Sequence, residues 1–99
     1  MLELKNTEQR VNETVEDYTR RFRQTLRIAT RGHAMDNIYQ VDFYIGGLEP
    51  TIGYNVRRQN PADLNEAINM ARREEEAKNE LRRKVSGDRV YPDIGKGYG

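Results

Sequence analysis

The stretch QRVNETVEDYTRRFRQTLRIAT, from Gln9 to Thr30, decides the fold of this chain. Its apolar residues recur at spacings of three, four and four residues, at Val15, Tyr18, Phe22 and Leu26. That spacing places two aromatic rings and two aliphatic side chains on one face of an α-helix. The sequence therefore predicts a principal helix, which runs from Val15 to about Thr30 and buries this face.

The polar residues of this helix predict where it begins and what its outer face carries. Thr14 precedes the first apolar position and is a typical N-cap, because its hydroxyl can accept a hydrogen bond from a free backbone N–H. On the outer face an acid leads a base by four residues in two pairs, Glu16–Arg20 and Asp17–Arg21. Each such pair stabilises a helix by only about 0.2–0.5 kcal/mol.

Three shorter helices are predicted downstream of the principal one. Asp36 is a suitable N-cap for the second, and Gly46 and Gly47 end it because glycine adopts positive φ freely. Glu49-Pro50 opens the third helix, with proline at the first helical position. The sequence Asp63-Leu64-Asn65-Glu66 is a capping box and opens the fourth helix.

The second helix carries apolar residues on two sides. Ile38, Val41 and Ile45 share one face, which we assign to the core. Tyr39 and Phe43 are four residues apart on a different side of the helix. Either this second side is also buried, or the two aromatic rings form an exposed contact surface.

The last helix becomes highly charged after Ala71, and the chain ends in a glycine-rich stretch. Leu81 and Val85 are either solvated or in contact with a partner helix. Residues 86–99 contain four glycines and a proline and lack apolar periodicity, which predicts a flexible, disordered tail. We therefore expect an all-α protein, with a small four-helix bundle over residues 1–85 and a C-terminal tail over residues 86–99.

Composition limits the classes of function. The chain has 99 residues, of which 35% are hydrophobic and 33% charged, so its core is small and oligomerisation is one common way to bury more surface. The absence of cysteine excludes disulfides and thiolate metal sites. A net charge of +1 gives little bulk attraction to nucleic acid or anionic lipid. No apolar run approaches the roughly 20 residues of a membrane span.

No set of residues in the sequence predicts catalysis, a cofactor or a metal site. His33 is the only histidine, which leaves no second imidazole for zinc and no support for a Ser–His arrangement. The carboxylates at Glu16–Asp17 and Glu74–Glu76 lie on charged helix faces, without the burial that would adjust their pKa values. We therefore predict that the protein is not an enzyme.

Two basic clusters and one polar set remain. The first cluster is Arg20–Arg21–Arg23 with Arg27, and the second is Arg82–Arg83–Lys84. Both are interleaved with acids, which weakens any attraction to phosphate and favours at most weak RNA binding. Arg21 has another interpretation. Either it is solvated, or it forms a buried polar clamp with Gln9 and Glu13 that ties the N-terminal segment to the first helix.

The order of these residues resembles a known motif. Read together they have the spacing Q-x3-E-x4-Y-x2-R-F-x3-L, given by Gln9, Glu13, Tyr18, Arg21, Phe22 and Leu26. This closely resembles the major homology region of retroviral capsid proteins. The wider sequence, with YQVDFYIGGLEP and QNPADLNEAINMARREEE following in order, resembles the Gag polyprotein of Ty3/gypsy-type retrotransposons from about Leu4 to Glu76.

The resemblance implies a structural role for each motif residue. The chain would be the capsid C-terminal lobe, or a domesticated copy of it, with four helices. A bidentate Arg21–Glu13 pair, capped by Gln9, would pin the N-terminal segment to the first helix. Tyr18, Phe22 and Leu26 would be core anchors. One departure is Arg10, which stands where the retroviral pattern has glycine, so we expect the turn to be built differently here.

The resemblance also implies a function and its partners. The lobe would form a homodimer through the second helix, with Tyr39 and Phe43 central, and would assemble a capsid-like shell in cytoplasmic particles. An upstream capsid N-terminal lobe would be its partner within the full-length protein. No membrane is implied, and RNA would bind only weakly or through segments outside this sequence, since a CCHC zinc knuckle requires cysteine. The alternative is a domesticated SCAN-like dimerisation or adaptor domain, with a dimer that exchanges the first helix.

Overall fold

Four α-helices form the fold of the residues that the computed structural model describes, 4–31 and 33–88, and these residues contain no strand. The elements are a 3₁₀ turn at Leu4–Asn6, α1 at Val15–Ala29, α2 at Asn37–Gly47, α3 at Pro50–Arg58 and α4 at Leu64–Asp88. The predicted all-α class with four helices is confirmed. The last helix, α4, ends at Asp88, three residues into the range that the sequence predicts as the tail. The rest of that tail, 89–99, lies outside the described residues.

Side-chain caps explain where α1 and α4 begin. The Thr14 hydroxyl accepts the Asp17 N–H at 3.1 Å, which starts α1 as the sequence predicts. The Asp63 carboxylate accepts the Glu66 N–H at 2.9 Å and starts α4. Asp36 precedes α2, but its side chain makes no cap hydrogen bond with the described residues. The start of α2 is therefore held less firmly than the starts of α1 and α4.

Three aromatic rings in mutual contact form the centre of the core. Tyr18 and Phe22 of α1 and Tyr44 of α2 are all fully buried. Tyr44 lies 5.2 Å from each of the other two ring centroids and meets Phe22 edge-on, at 78°. Smaller side chains of α3 and α4 complete the core around them, namely Ile52, Val56, Ala67, Ile68 and Ala71. Each fully buried large side chain contributes about 1.5–3 kcal/mol relative to exposure.

The predicted core face of α2 is only partly buried. Ile38, Val41 and Ile45 do share a face, since all three line the same groove. Ile45 is buried and Val41 is half-buried, but Ile38 is 71% exposed, so its assignment to the core was wrong. The reason is its position in the first turn of α2, where the shared face opens into the groove.

The inner part of α4 joins the other helices by polar as well as apolar contacts. It packs against α1, α2 and α3. The Glu75 carboxylate accepts the Val15 N–H at 2.9 Å, at the first turn of α1, and Lys78 lies 2.7 Å from the Glu49 carboxylate. From Asn79 to Lys84 the side chains are exposed, and Leu81 is 63% exposed. The side chain of Val85, the other residue proposed for a partner contact, lies outside the described set.

Candidate functional site

The structure brings Gln9, Glu13 and Arg21 together. The Arg21 guanidinium donates two parallel hydrogen bonds to the Glu13 carboxylate, from Nε to Oε2 and from Nη2 to Oε1, each 2.8 Å long. Gln9 Nε2 donates to the backbone oxygen of Glu13 at 2.7 Å. Parallel donors on a planar fork fix the orientation of the carboxylate as well as its distance. We call these three residues the polar clamp.

Further hydrogen bonds connect the polar clamp to the junction between α2 and α3. Gln9 Oε1 accepts the Glu49 N–H at 2.8 Å, and the Gln9 N–H donates to the Gly47 oxygen at 2.7 Å. Arg21 Nη2 also donates to the Glu8 oxygen at 2.6 Å. The clamp therefore joins three parts of the molecule: the N-terminal segment, α1 and the end of α2.

Close approach of the backbone explains the glycine at position 47. A Cβ atom there would overlap the Thr7 carbonyl oxygen and the Tyr18 hydroxyl. Gly46 differs, because a Cβ there would have no described atom within 4 Å. The sequence predicted both glycines as a helix stop, yet both belong to α2 and only Gly47 is required for packing. Nothing in the local sequence distinguishes the two.

The turn before α1 is built without a glycine, as the departure at Arg10 led us to expect. Among the described non-glycine residues, positive φ occurs at Asn12, with 66°, and at Asn60, with 57°. Asparagine tolerates this region better than most residues. Arg10 is thus free of left-handed strain, and its N–H donates to Glu13 Oε1 at 2.9 Å. The turn places its left-handed residue two positions after Arg10.

Hydrogen bonding to Arg21 sets the ionisation of the clamp. It lowers the pKa of Glu13 from 4.5 to about 2, and partial burial opposes the shift. The carboxylate is 10% exposed, so the pair is shielded from solvent on most sides. Glu13 therefore stays ionised throughout the range in which ordinary carboxylates titrate.

Two buried tyrosines hold α1 against α2 by their hydroxyl groups. The Tyr18 hydroxyl donates to the Tyr44 backbone oxygen at 2.9 Å, and the hydroxyls of Tyr44 and Thr19 lie 2.8 Å apart. Burial raises the pKa of Tyr18 and raises that of Tyr44 to about 12. Of the predicted anchors, Tyr18 and Phe22 are fully buried and Leu26 is half-buried at the core edge. The sequence prediction missed Tyr44, which is fully buried between Tyr18 and Phe22.

The predicted dimer residues are not equally accessible. Tyr39 is 57% exposed, whereas Phe43 is half-buried against the core. The neighbouring Ile38 is more exposed than either. It borders a groove of about 720 Å³ between α2 and the segment that joins α3 to α4, which we call the α2 groove. Its apolar wall consists of Ile38, Val41, Ile45 and Pro61, and the ion pair Asp42–Arg57, 2.9 Å apart, lies at its rim.

Several basic residues of the helices have acidic or polar partners among the described residues. Arg20 pairs with Asp17 at 2.9 Å, so the predicted pairs at a spacing of four did not form. Glu16 instead lies 3.2 Å from Arg72 of α4. Arg23 donates to the Asn65 side chain, also on α4, at 3.0 Å. The second predicted basic cluster, Arg82–Arg83–Lys84, is exposed on the outer part of α4.

The described residues contain neither a candidate metal site nor a membrane-spanning helix. Within residues 4–31 and 33–88, no group of three histidine, cysteine, aspartate or glutamate side chains is arranged to hold a metal ion. His33 is exposed. None of the helices in the same ranges is sufficiently long and apolar to cross a membrane. No protein-family model, curated protein or solved structure matches this chain.

Proposed function

We propose that this chain is a non-catalytic assembly module, the capsid C-terminal lobe of a Ty3/gypsy-type retrotransposon Gag polyprotein or a domesticated copy of it. It joins two copies through α2 and contributes to a capsid-like shell. The observation that carries the proposal is the bidentate Arg21–Glu13 pair with Gln9 beside it. These are the residues, at the spacing of the motif, that the resemblance assigns to the structural network.

The clamp supports this role because it fixes one end of α2. Gln9 accepts from Glu49 and donates to Gly47, so the segment before α1 holds the end of α2 in place. The aromatic core beneath it, through Tyr44, holds the middle of the same helix. These two anchors fix the direction in which α2 presents its exposed first turn, with Ile38 and Tyr39. A helix whose axis is already fixed loses less conformational entropy when it binds.

The partners follow from the same proposal. A second copy of the chain is the principal one, and an upstream capsid lobe is the other. RNA contributes only weakly to assembly. Arg20, Arg57 and Arg72 are paired with acidic side chains, and a paired arginine attracts phosphate less than an unpaired one. Particles of this kind lie in the cytoplasm.

Sedimentation equilibrium over a wide concentration range tests the dimer. We expect a reversible rise from the monomer mass to the dimer mass. Tyr39→Ala should shift this rise to at least about tenfold higher concentration, because a buried aromatic ring at an interface centre is a frequent hot spot. Tyr54→Ala is the matched control, since Tyr54 is 65% exposed on α3 and should leave the association unchanged.

Two outcomes contradict this arrangement. A mass that stays at the monomer value at every concentration would show that this chain does not dimerise by itself. A dimer that does not dissociate on dilution would favour the SCAN-like adaptor, since exchange of α1 requires partial unfolding. Tyr39 is used without Phe43 because Phe43 packs against the core, and its truncation would also lower stability.

A further inference from the structure

We propose that the α2 groove receives α2 of a second copy, and that Asp42 and Arg57 form their ion pairs between the two copies. This inference rests on the homodimer proposed above and specifies its contact. Ile38 and Tyr39 of one copy would lie in the groove of the other. The contact would therefore be centred one turn earlier in α2 than the predicted pair Tyr39 and Phe43.

The exposed residues and the groove are complementary in chemistry. Ile38 is 71% exposed and Tyr39 is 57% exposed, and they line the groove together with Val41, Ile45 and Pro61. One patch thus contains both a protruding apolar pair and an apolar recess. A closed two-fold contact requires a patch that is complementary to itself, and this patch meets the requirement.

The charges of the rim are complementary in the same way. Asp42 and Arg57 lie 2.9 Å apart on α2 and α3, with side chains 60% and 55% exposed. An ion pair this exposed contributes little to the stability of one chain. At a two-fold contact each acid faces a base of the other copy, and such pairs fix the register of association. The rim therefore favours a second copy over a partner with charge of a single sign.

Phe43 has a different role in this arrangement. It is half-buried and packs against the core, so it has less surface to offer a partner than Ile38. Ile38 has no such core contact, and its apolar surface in the first turn of α2 remains exposed. Burial of that surface by a second copy gives the exposed isoleucine a function that the monomer does not supply.

A charge-exchange experiment separates pairing between copies from pairing within one. Asp42→Arg and Arg57→Asp are made as two separate chains, and each homodimer then faces like charges twice. We expect each variant alone to dimerise at least about tenfold more weakly than the wild type. In an equimolar mixture the heterodimer has opposite charges at both cross-copy pairs, so we expect dimerisation to return. Pairing within a chain stays broken in both variants and cannot produce this recovery.

The measurement is sedimentation equilibrium of each variant and of the mixture at low salt, with circular dichroism to verify the fold. If the wild type dimerises and the mixture stays monomeric, the inference fails while the proposed dimer stands. If the wild type is a monomer throughout, the proposed function fails with it. Recovery in the mixture supports the inference, and loss of that recovery at high salt identifies its electrostatic origin.

A second pair of variants tests the apolar part of the contact. Ile38→Ala should weaken dimerisation by about tenfold, because it removes the residue placed in the partner's groove. Ile28→Ala is the matched control: Ile28 is 42% exposed on α1, outside the groove, and its truncation should leave dimerisation unchanged. Equal effects of the two substitutions would overturn the placement of Ile38 in the contact.

Discussion

The two ends of α2 are held in opposite ways. At its C-terminal end, Gly47 lies against the N-terminal segment, and hydrogen bonds from the polar clamp fix the junction with α3. At its N-terminal end, Asp36 provides no side-chain cap to the described backbone and Ile38 is exposed beside a groove. One helix thus combines an anchored end with an accessible end. The anchored end and the end proposed for binding are therefore separated along α2, and substitutions at the two ends should differ accordingly.

Gly47→Ala should have the largest effect on stability. Its Cβ would overlap the Thr7 carbonyl oxygen and the Tyr18 hydroxyl, and backbone oxygen moves only if the N-terminal segment moves with it. We expect the free energy of unfolding to fall by at least about 3 kcal/mol, measured by urea denaturation. A loss below about 1 kcal/mol would mean that the clamped end is less rigid than the hydrogen bonds indicate.

The polar clamp should produce the next largest effect, and it should depend on pH. The pKa of Glu13 is about 2 in the folded protein and 4.5 for the free group, so its ionised form stabilises the fold. This contribution, at most about 3 kcal/mol, is complete above about pH 5 and is lost as the pH falls toward 2. Glu13→Gln should therefore destabilise the protein at pH 7 and flatten the decline of stability in acid.

The measurement for Glu13 is urea denaturation at a series of pH values from neutral to acid. Glu80→Gln is the control, because Glu80 is an exposed carboxylate on the outer part of α4. That control should follow the wild-type curve. An unchanged acid decline in Glu13→Gln would contradict the role of the clamp, and other carboxylates would then account for the acid sensitivity.

Gly46→Ala should have a smaller effect of opposite sign. A Cβ at this position meets no described atom within 4 Å, and the residue lies within α2. Alanine is preferred over glycine in a helix by about 0.5–1 kcal/mol, so the free energy of unfolding should rise by that amount. If Gly46→Ala lowered the free energy of unfolding, packing would require glycine at position 46 as well as at position 47.

The smallest effect on stability should come from Ile38→Ala, at the accessible end. Its side chain is already 71% exposed, so its truncation should change the free energy of unfolding by less than about 0.5 kcal/mol. Urea denaturation at a concentration where the chain is monomeric measures this value. If the free energy of unfolding fell by more than about 1 kcal/mol, Ile38 would belong to the core. The contrast between the two ends of α2 would then disappear.

The sequence predicts those parts of the fold that depend on local spacing. The apolar period from Val15 to Leu26 predicts α1 and its buried face. Spacing alone left Arg21 either solvated or paired, and only the resemblance of the motif implied which three residues meet in the clamp. The ion pairs were less predictable, because Glu16 reaches Arg72 on another helix instead of Arg20 on its own. A tertiary partner replaced a local one, and local spacing carries no information about that competition.

The burial of α2 likewise depends on tertiary contacts that local spacing does not predict. Ile38 and Ile45 occupy one face by helical period, but the packing of the other helices decides which turn of that face is covered. Tyr44 is central because α1 places Tyr18 and Phe22 beside it. The requirement for glycine at position 47, and not at 46, arises from the approach of Thr7. Each of these features depends on contacts between distant segments, which the sequence pattern does not contain.

The hydrogen bond from Val15 to Glu75 also bears on when the first turn of α1 is completed during synthesis. It joins residues 60 positions apart, and Lys78 binds Glu49 a few residues further on. The N-terminal segment and α1 leave the ribosome before α4, so the Val15 N–H lacks this partner until the inner part of α4 has emerged. We therefore expect this contact to form late in the synthesis of the domain, because it has to close a long loop.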